Sequence, residues 1–219
     1  MSEVRRTAPA WPVTHTRPIV YVVDDDVSVR ESLELLIRSA GWDPQLFRSA
    51  TEFLARPRVL VPSCLVLDVS LPDLNGLEVQ KQIAADRARL PIIFITGHGD
   101  VPMTVRAMKA GAAEFLTKPF EEDVLLSAIQ GAIERSHAAL DRESELRMLE
   151  ERYSALTRRE REVMGLVVSG LLNKHVGHRL GISEITVKAH RGQVMHKMRA
   201  SSLADLVRTA AKLRLDVQV

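Results

Sequence analysis

Carboxylate, hydroxyl and ammonium side chains follow four short apolar runs of the sequence, each where a strand is expected to end. These residues are Asp24, Asp25, Asp68, Thr96 and Lys118. Carboxylates that lie close together repel one another unless a cation neutralises them, and hard oxygen ligands with access to water suit Mg²⁺. Because a bound metal also offsets negative charge during phosphoryl transfer, this set of side chains predicts chemistry on a phosphoryl group.

Asp68 is the residue on which we place that chemistry. Its carboxylate can act as a nucleophile and become an aspartyl phosphate. Lys118 supplies a point positive charge for the phosphoryl group, and the hydroxyl of Thr96 can donate a hydrogen bond to it. An aspartate that ends a strand often serves only as a turn or cap residue, but the agreement among four strand ends favours the chemical role.

Short apolar strands that alternate with helical patterns must bring these side chains together. The predicted strands cover residues 19–23, 42–47, 64–67, 91–95 and 113–116. Strands that are apolar throughout and alternate with helices indicate a doubly wound parallel sheet, whose ligand crevice lies beyond the carboxyl ends of the strands. Pro44 cannot donate to a strand ladder, so the second strand is expected at an edge of the sheet.

The motifs at these strand ends resemble the receiver domain of bacterial response regulators. They are Val-Val-Asp-Asp-Asp at residues 22–26, Leu-Asp at 67–68 with Leu-Pro-Asp at 71–73, Ile-Thr-Gly-His-Gly-Asp at 95–100 and Lys-Pro-Phe at 118–120. The resemblance covers residues 18–135. It implies a flavodoxin-like α/β fold with strand order 2-1-3-4-5, and phosphorylation of Asp68 by a sensor histidine kinase.

The same resemblance implies a metal site at the end of the sheet. Asp25, Asp68 and the backbone carbonyl of Ser70 are expected to bind Mg²⁺, and Asp24 is expected to assist through a water molecule. The peptide bond before Pro119 resembles one that is cis in the family.

A conformational switch is a further implication of the resemblance. Phe115 matches the switch aromatic of the family, although an aromatic residue on this short strand can also be part of the core. Phosphorylation of Asp68 is expected to draw Thr96 toward the phosphoryl group, to let Phe115 turn inward and to reshape the helix at residues 101–110. We expect that surface to form a homodimer.

Two other classes of protein compete with this interpretation. A phosphatase that forms a catalytic aspartyl phosphate commonly carries a second aspartate two residues after the nucleophile, but that position is Ser70 here. A constitutive DNA-binding protein could use a receiver-like domain only to dimerise, but the complete set of site residues argues against it. The sequence therefore favours a regulator and not an enzyme.

The charge of the chain is divided unevenly along its length. The net charge is +2, but residues 1–151 hold 17 Lys and Arg against 23 Asp and Glu, and residues 152–219 hold 13 against 5. The two parts therefore carry about −6 and +8. An acidic domain joined to a basic one suggests that only the second meets a polyanion, although such charge can also be a solvated surface.

The basic part carries the pattern of a helix-turn-helix. Thr157 and Glu160 form a capping box that starts one helix, and further helices are predicted to begin at Asn173, Ser183 and residue 202. The helix that begins at Ser183 is predicted to run to about Arg199. Two short helices separated by Gly-Ile-Ser place the second of them in the DNA major groove.

One face of that recognition helix is expected to contact DNA. Val187, Val194 and Met198 share the opposite, apolar side. The residues of the predicted DNA-contacting face are Ile185, Thr186, Lys188, Ala189, Gly192, Gln193 and His196. Small residues there allow close approach, and a lysine can reach a phosphate or a guanine edge.

The basic part also resembles a LuxR-type DNA-binding domain, and its pairing with a receiver resembles the NarL/FixJ class of response regulators. The motifs are residues 156–163, 186–190 and 197–198, together with Asn173 and Lys174, which we also expect at the DNA. The domain is predicted to cover residues 156–219. Gly177 departs from the usual alanine of the scaffold helix and is expected to cost about 1 kcal/mol.

A helical linker is predicted between the two domains, at residues 136–155. Leu146, Leu149, Tyr153 and Leu156 step by three and four, which is typical either of a short dimer seam or of a helix that lies on its own domain.

Composition sets the remaining bounds. The chain is 46% hydrophobic, and its single cysteine, Cys64, permits no intramolecular disulfide. Residues 1–17 are expected to be a disordered leader without a signal peptide, and no membrane span is expected. The sequence thus predicts a cytoplasmic, phosphorylation-dependent transcriptional regulator that binds promoter DNA.

Overall fold

The computed structural model describes residues 17–57, 59–86, 88–97 and 99–215, and it divides the chain into two compact units, residues 1–141 and 142–219. The predicted leader lies outside the described residues except for Arg17. The limits predicted for the domains and the linker stay predictions. Within the described residues, no helix is at once long enough and apolar enough to cross a membrane.

Five parallel strands form the sheet of the first unit, in the order β2-β1-β3-β4-β5. They are β1 (Ile19–Val23), β2 (Asp43–Phe47), β3 (Ser63–Asp68), β4 (Ile92–Thr96) and β5 (Glu114–Thr117). The order and the parallel direction confirm the flavodoxin-like fold. Pro44 lies in β2, which is an edge strand as predicted, whereas every residue of the central strand β3 is buried.

Helices follow the strands of this unit after a few residues each. They are α1 (Val27–Ser39), α2 (Ala50–Leu54), α3 (Gly76–Gln82), α4 (Val101–Lys109) and α5 (Glu122–Ser154), with a 3₁₀ turn at Ala84–Asp86. The first four begin after a residue whose side chain accepts a hydrogen bond from a backbone N–H of the first turn. These caps are Asp26, Ser49, Asn75 and Asp100.

The core of the first unit lies on both faces of the sheet. Tyr21 and Leu65 pack in the cluster on one face, and Val22 and Val66 pack in the cluster on the other. Because neighbouring residues of a strand point to opposite faces, a strand covered by helices on both sides must be apolar throughout. This burial explains the uninterrupted apolar runs of the sequence.

The second unit is helical. Its helices are α6 (Arg158–Val168), α7 (Asn173–Leu180), α8 (Glu184–Lys197) and α9 (Leu203–Lys212). The predicted capping box at Thr157 and Glu160 is present. The recognition helix α8 ends two residues before the predicted Arg199, whose φ of 52° lies in the left-handed region and no longer continues a helix.

The long helix α5 includes residues 136–154 of the predicted linker. Leu156, which follows α5, is buried in an apolar cluster of the second unit, and Tyr153 packs against the same cluster. Leu149 is buried as well, whereas the side chain of Leu146 is 38% exposed. Tyr153 and Leu156 therefore pack on their own domain, the second unit, which is one of the two arrangements that the spacing allowed.

Candidate functional site

Three carboxylates lie together beyond the carboxyl ends of β1 and β3. These strands pair so that Val23 lies beside Leu67, which places the residues after them next to each other. One carboxylate oxygen from each of Asp24, Asp25 and Asp68 lies within 4.8 Å of the other two. Asp24 is fully buried and Asp68 is 6% exposed, whereas Asp25 is exposed to solvent. The cluster therefore combines two buried carboxylates with one that faces water.

Lys118, which follows β5, neutralises part of this negative charge. Its Nζ donates to Asp24 Oδ2 at 2.6 Å and to Asp68 Oδ2 at 2.7 Å. Burial raises the pKa of Asp24, and the hydrogen bond from Lys118 offsets this only in part. Burial alone would lower the pKa of Lys118, but its bonds to Asp24 and Asp68 outweigh burial and hold that pKa above its ordinary value.

The chain after β3 folds back over Asp68. The backbone N–H of Ser70 donates to Asp68 Oδ1 at 2.8 Å. Gly76, at the start of α3, passes so close that a Cβ atom there would lie 2.8 Å from the carbonyl oxygen of Asp68. A side chain at position 76 would therefore push this loop away, so glycine is required for the close approach.

Thr96 is the last residue of β4, and Phe115 is the second residue of the neighbouring strand β5. Thr96 is fully buried, and its carbonyl oxygen accepts a 2.7 Å hydrogen bond from the backbone N–H of Lys118. Phe115 is half-buried and packs against Phe94 with ring centroids 6.0 Å apart. The peptide bond between Lys118 and Pro119 is cis. The structure thus brings Asp24, Asp25, Asp68, Thr96 and Lys118 to the carboxyl ends of their strands, with Phe115 two residues before the end of β5.

The predicted DNA-contacting face of α8 lies at the surface of the second unit. Val187, Val194 and Met198 are buried in its core and fix how the helix is turned. All seven residues predicted for the face are exposed: Ile185, Thr186, Lys188, Ala189, Gly192, Gln193 and His196. Of the two residues predicted on α7, Lys174 is exposed and Asn173 is half-buried.

Two family models match this chain. Residues 20–130 match the response regulator receiver domain, and residues 154–210 match the luxR family of bacterial regulatory proteins. The chain belongs to the LuxR-type response regulators. This family consists of transcription regulators, and the pairing of the two domains makes the chain a phosphorylation-dependent transcriptional regulator, as the sequence predicted.

This response regulator is similar to known members over most of its length. Nodulation protein W of Bradyrhizobium diazoefficiens is 51% identical over 198 residues, which cover 90% of this chain and 87% of that protein. Transcriptional regulatory protein FixJ of the same organism is 42% identical over 197 residues, covering 90% and 96%. The structure of response regulator StyR superposes with a TM-score of 0.81 at 48% identity, covering 90% of this chain and all of that one.

Asp73 supports the site of the response regulator in a way that the sequence did not reveal. Its Oδ2 accepts hydrogen bonds from the backbone N–H of Thr51 at 2.9 Å and from the hydroxyl of Thr51 at 2.7 Å, and its Oδ1 accepts from the N–H of Ala50 at 3.3 Å. Burial opposes ionisation, but these bonds hold the pKa of Asp73 below its ordinary value. The loop that carries Ser70 is thereby tied to the start of α2.

Gly99 adds a second close approach, in the loop between β4 and α4. A Cβ atom at this position would lie 3.1 Å from both Phe115 and Thr96. The residue therefore leaves room beside the predicted switch pair. In the sequence Gly99 is only part of a motif, and the structure shows which side chains lie beside it.

Polar contacts also support the recognition helix of the response regulator. Arg191 donates to the side chain of Asn173 at 3.2 Å, and Lys188 forms an exposed ion pair with Glu184 at 3.1 Å. Asn173 therefore positions part of α8, in addition to its predicted place at the DNA. Sequence reasoning did not identify Arg191, because its partner lies on a different helix.

The structure explains why glycine occupies position 177 inside a helix, which helix propensity does not. A Cβ atom there would lie 2.7 Å from the carbonyl oxygen of Ile182, in the turn between α7 and α8. The backbone N–H of Ile182 also donates to the carbonyl of Gly177 at 3.0 Å. The glycine therefore lets the turn close tightly against α7.

Proposed function

We propose that Asp68 of this response regulator accepts a phosphoryl group from a sensor histidine kinase, and that this modification controls dimerisation and promoter binding. The observation that carries the proposal is the set of groups around the Asp68 carboxylate, which accepts a hydrogen bond from the Lys118 ammonium and lies within 4.8 Å of carboxylate oxygens of Asp24 and Asp25. In the transfer, the P–N bond of a phosphohistidine breaks as a bond forms from phosphorus to an Asp68 oxygen.

The donor set fits Mg²⁺, which prefers carboxylate oxygens and retains water. We propose that Asp25, Asp68 and the backbone carbonyl of Ser70 hold the ion, with Asp24 assisting through water. A metal in this position offsets the negative charge of the phosphoryl oxygens and of the attacking carboxylate. Lys118 can move its contact from Asp68 to the phosphoryl group, because its ammonium already touches the reacting carboxylate.

Thr96 and Phe115 are the proposed switch residues. A phosphoryl group on Asp68 adds hydrogen-bond acceptors to the site, and a bond from the hydroxyl of Thr96 to one of them would favour one conformation over another. Phe115, whose ring already lies beside Gly99, then turns inward. The neighbouring helix α4 responds because it begins two residues after that glycine.

Helix α4 carries the surface that we propose to dimerise. Val101, Val105 and Met108 are exposed by 76%, 43% and 42%, and their spacing of four and three residues places them on one side of the helix. An apolar stripe of this kind is typical of a helix that meets a partner. A second copy of the chain would cover it and bring two DNA-binding units to adjacent half-sites.

The second unit is the proposed DNA-binding part. Its excess of positive charge favours a polyanion, and the exposed face of α8 has the residues that major-groove contacts require. Because promoter DNA lies in the cytoplasm of a bacterium, we propose the cytoplasm as the site of action.

The phosphorylation proposal can be tested with Asp68→Asn and a small phosphodonor, with and without Mg²⁺. We expect the intact mass of the wild-type chain to rise by one phosphoryl group only when Mg²⁺ is present, and the variant to remain unmodified. Glu78→Gln is the matched control, because it removes an exposed carboxylate of α3 that lies outside the cluster. Undiminished phosphorylation of Asp68→Asn would overturn the assignment.

Light scattering and DNA binding of the same samples test the consequence. Phosphorylation of the wild-type chain should produce a dimer and raise DNA affinity over the same range of protein concentration. A phosphorylated chain that stays monomeric where its DNA affinity has already risen would show that the switch does not act through dimerisation.

A further inference from the structure

Ile185 is the most exposed large apolar side chain among the described residues. It lies in the first turn of α8 and is 80% exposed, above the 76% of Val101. Its β-branched side chain does not favour a helix, and in this position it contributes little to the core of the unit. A single exposed apolar side chain is common on protein surfaces, but the place of Ile185 at the start of the recognition helix lets it make an apolar contact with a partner that this helix meets.

The surroundings of Ile185 are small and unobstructed. Small residues follow it on the same side of α8, since Ala189 and Gly192 lie four and seven residues further on and both are exposed. A Cβ atom added at Gly192 would meet nothing within 4 Å. A flat partner could therefore approach this side of the helix closely, with Ile185 as the protruding apolar group.

The polar groups that could read hydrogen bonds lie beside this strip. The hydroxyl of Thr186 lies 2.8 Å from that of Ser183 at the helix cap, and Lys188 is held by Glu184. Ile185 itself can neither donate nor accept a hydrogen bond. In the major groove, the apolar group on a base edge is the C5 methyl of thymine.

We propose that Ile185 reads a thymine in each half-site by packing against its C5 methyl group. This inference rests on the proposed entry of α8 into the major groove and adds the base that one residue selects. The Lys188 side chain, one position from the strip, then contacts phosphate or a guanine edge independently of this thymine.

Removal of the methyl group from DNA provides a direct test. Duplexes are first selected from a random-sequence pool by the full-length phosphorylated chain, and each thymine of the selected site is then replaced singly by deoxyuridine. We expect one replacement in each half-site to weaken wild-type binding about fourfold, as for one buried methyl group. Other replacements should have smaller effects.

The Ile185→Ala variant assigns that effect to a residue. It should bind the thymine and deoxyuridine duplexes equally, because the side chain that senses the methyl group is gone. Val207→Ala, which shortens an exposed apolar side chain on α9, is the matched control and should retain the wild-type preference. Thermal unfolding of both variants checks that the second unit remains folded.

The outcomes separate this inference from the function on which it rests. If the selection enriches no sequence, the proposed promoter binding fails, and the role of Ile185 fails with it. If a sequence is enriched but Ile185→Ala keeps the full thymine preference, the DNA-binding function stands and the assignment to Ile185 is wrong.

Discussion

The carboxylate cluster and the DNA-contacting face of α8 are built in opposite ways. In the cluster, side chains from distant parts of the sequence bond directly to one another, as Lys118 does to Asp24 and Asp68. On α8, successive turns of one helix present side chains to solvent, where they can contact a partner outside the chain. We therefore expect substitutions in the cluster to be strongly non-additive and those on the helix face to be nearly additive.

The largest effect on stability is expected for Lys118→Met without Mg²⁺. The change leaves Asp24 and Asp68 without their shared cation and should lower the free energy of unfolding by about 2 to 3 kcal/mol, less than for a fully buried pair because Lys118 is partly exposed. Mg²⁺ should then stabilise the variant more than the wild type, because the metal replaces the missing charge. Thermal unfolding with and without Mg²⁺ measures both effects.

Lys81→Met is the control for this experiment, since it breaks an exposed ion pair with Glu78 on α3. Its stability should change little, and its response to Mg²⁺ should equal that of the wild type. An equal Mg²⁺ response in Lys118→Met would contradict the shared-cation account, and the contrast between the two regions would lose its main support.

An ion pair in the second unit, between buried Glu160 and partly exposed Lys197, sharpens the comparison. It has the direct contact of the carboxylate cluster but lies in the same unit as α8. Glu160 accepts from Lys197 at 2.7 Å and from the N–H of Thr157 at 2.8 Å. Removal of this charged acceptor by Glu160→Gln should cost about 1 to 2 kcal/mol of unfolding free energy. A double-mutant cycle should give Glu160 and Lys197 a larger coupling than the exposed pair of Glu184 and Lys188, for which about 0.3 to 0.5 kcal/mol is expected.

The pH dependence of this pair has a defined direction. The hydrogen bond from Lys197, followed by that from Thr157, holds the pKa of Glu160 below its ordinary value of 4.5. Its stabilisation should therefore be complete above about pH 4.5 and should decline as the pH falls through the lowered pKa of the folded state. Glu160→Gln should lose this part of the acid sensitivity; acid unfolding that matches the wild type would count against the contact.

The smallest effect is expected on the exposed face itself. Lys188→Ala should weaken DNA binding several-fold and, if the side chain contacts phosphate, should lower the salt slope by about one unit and affect all sequences alike. Combined with Ile185→Ala, the two losses of binding free energy should add, because one contact is electrostatic and the other apolar. Binding titrations at several salt concentrations test this. A marked departure from additivity would show that the helix face is coupled after all.

The sequence predicted those parts of the site that local pattern determines. Asp68 could be found because an apolar run ends at it, and the exposed face of α8 because helical spacing separates it from Val187 and Val194. The capping box at Thr157 and Glu160 is local as well. Its further bond to Lys197 joins residues 37 positions apart, and no spacing in the sequence indicates such a contact.

Close approaches escaped prediction for a similar reason. Helix propensity considers only the residue itself and predicted that Gly177 destabilises α7. The structure shows that the carbonyl oxygen of Ile182 lies where a side chain at this position would be. Asp73 was visible as part of a motif, but its partner Thr51 lies on a helix that the sequence does not place beside it. Tertiary packing, and not local preference, decides both positions.

The bond network of Asp73 also makes the loop after β3 observable from a distance. While the loop is closed, the backbone N–H groups of Ala50 and Thr51 are held by the Asp73 carboxylate and should exchange slowly with solvent deuterium. Opening of the loop would release those two amides, which lie outside the carboxylate cluster. The rate at which Thr51 takes up deuterium therefore reports how often the loop beside the carboxylate cluster opens.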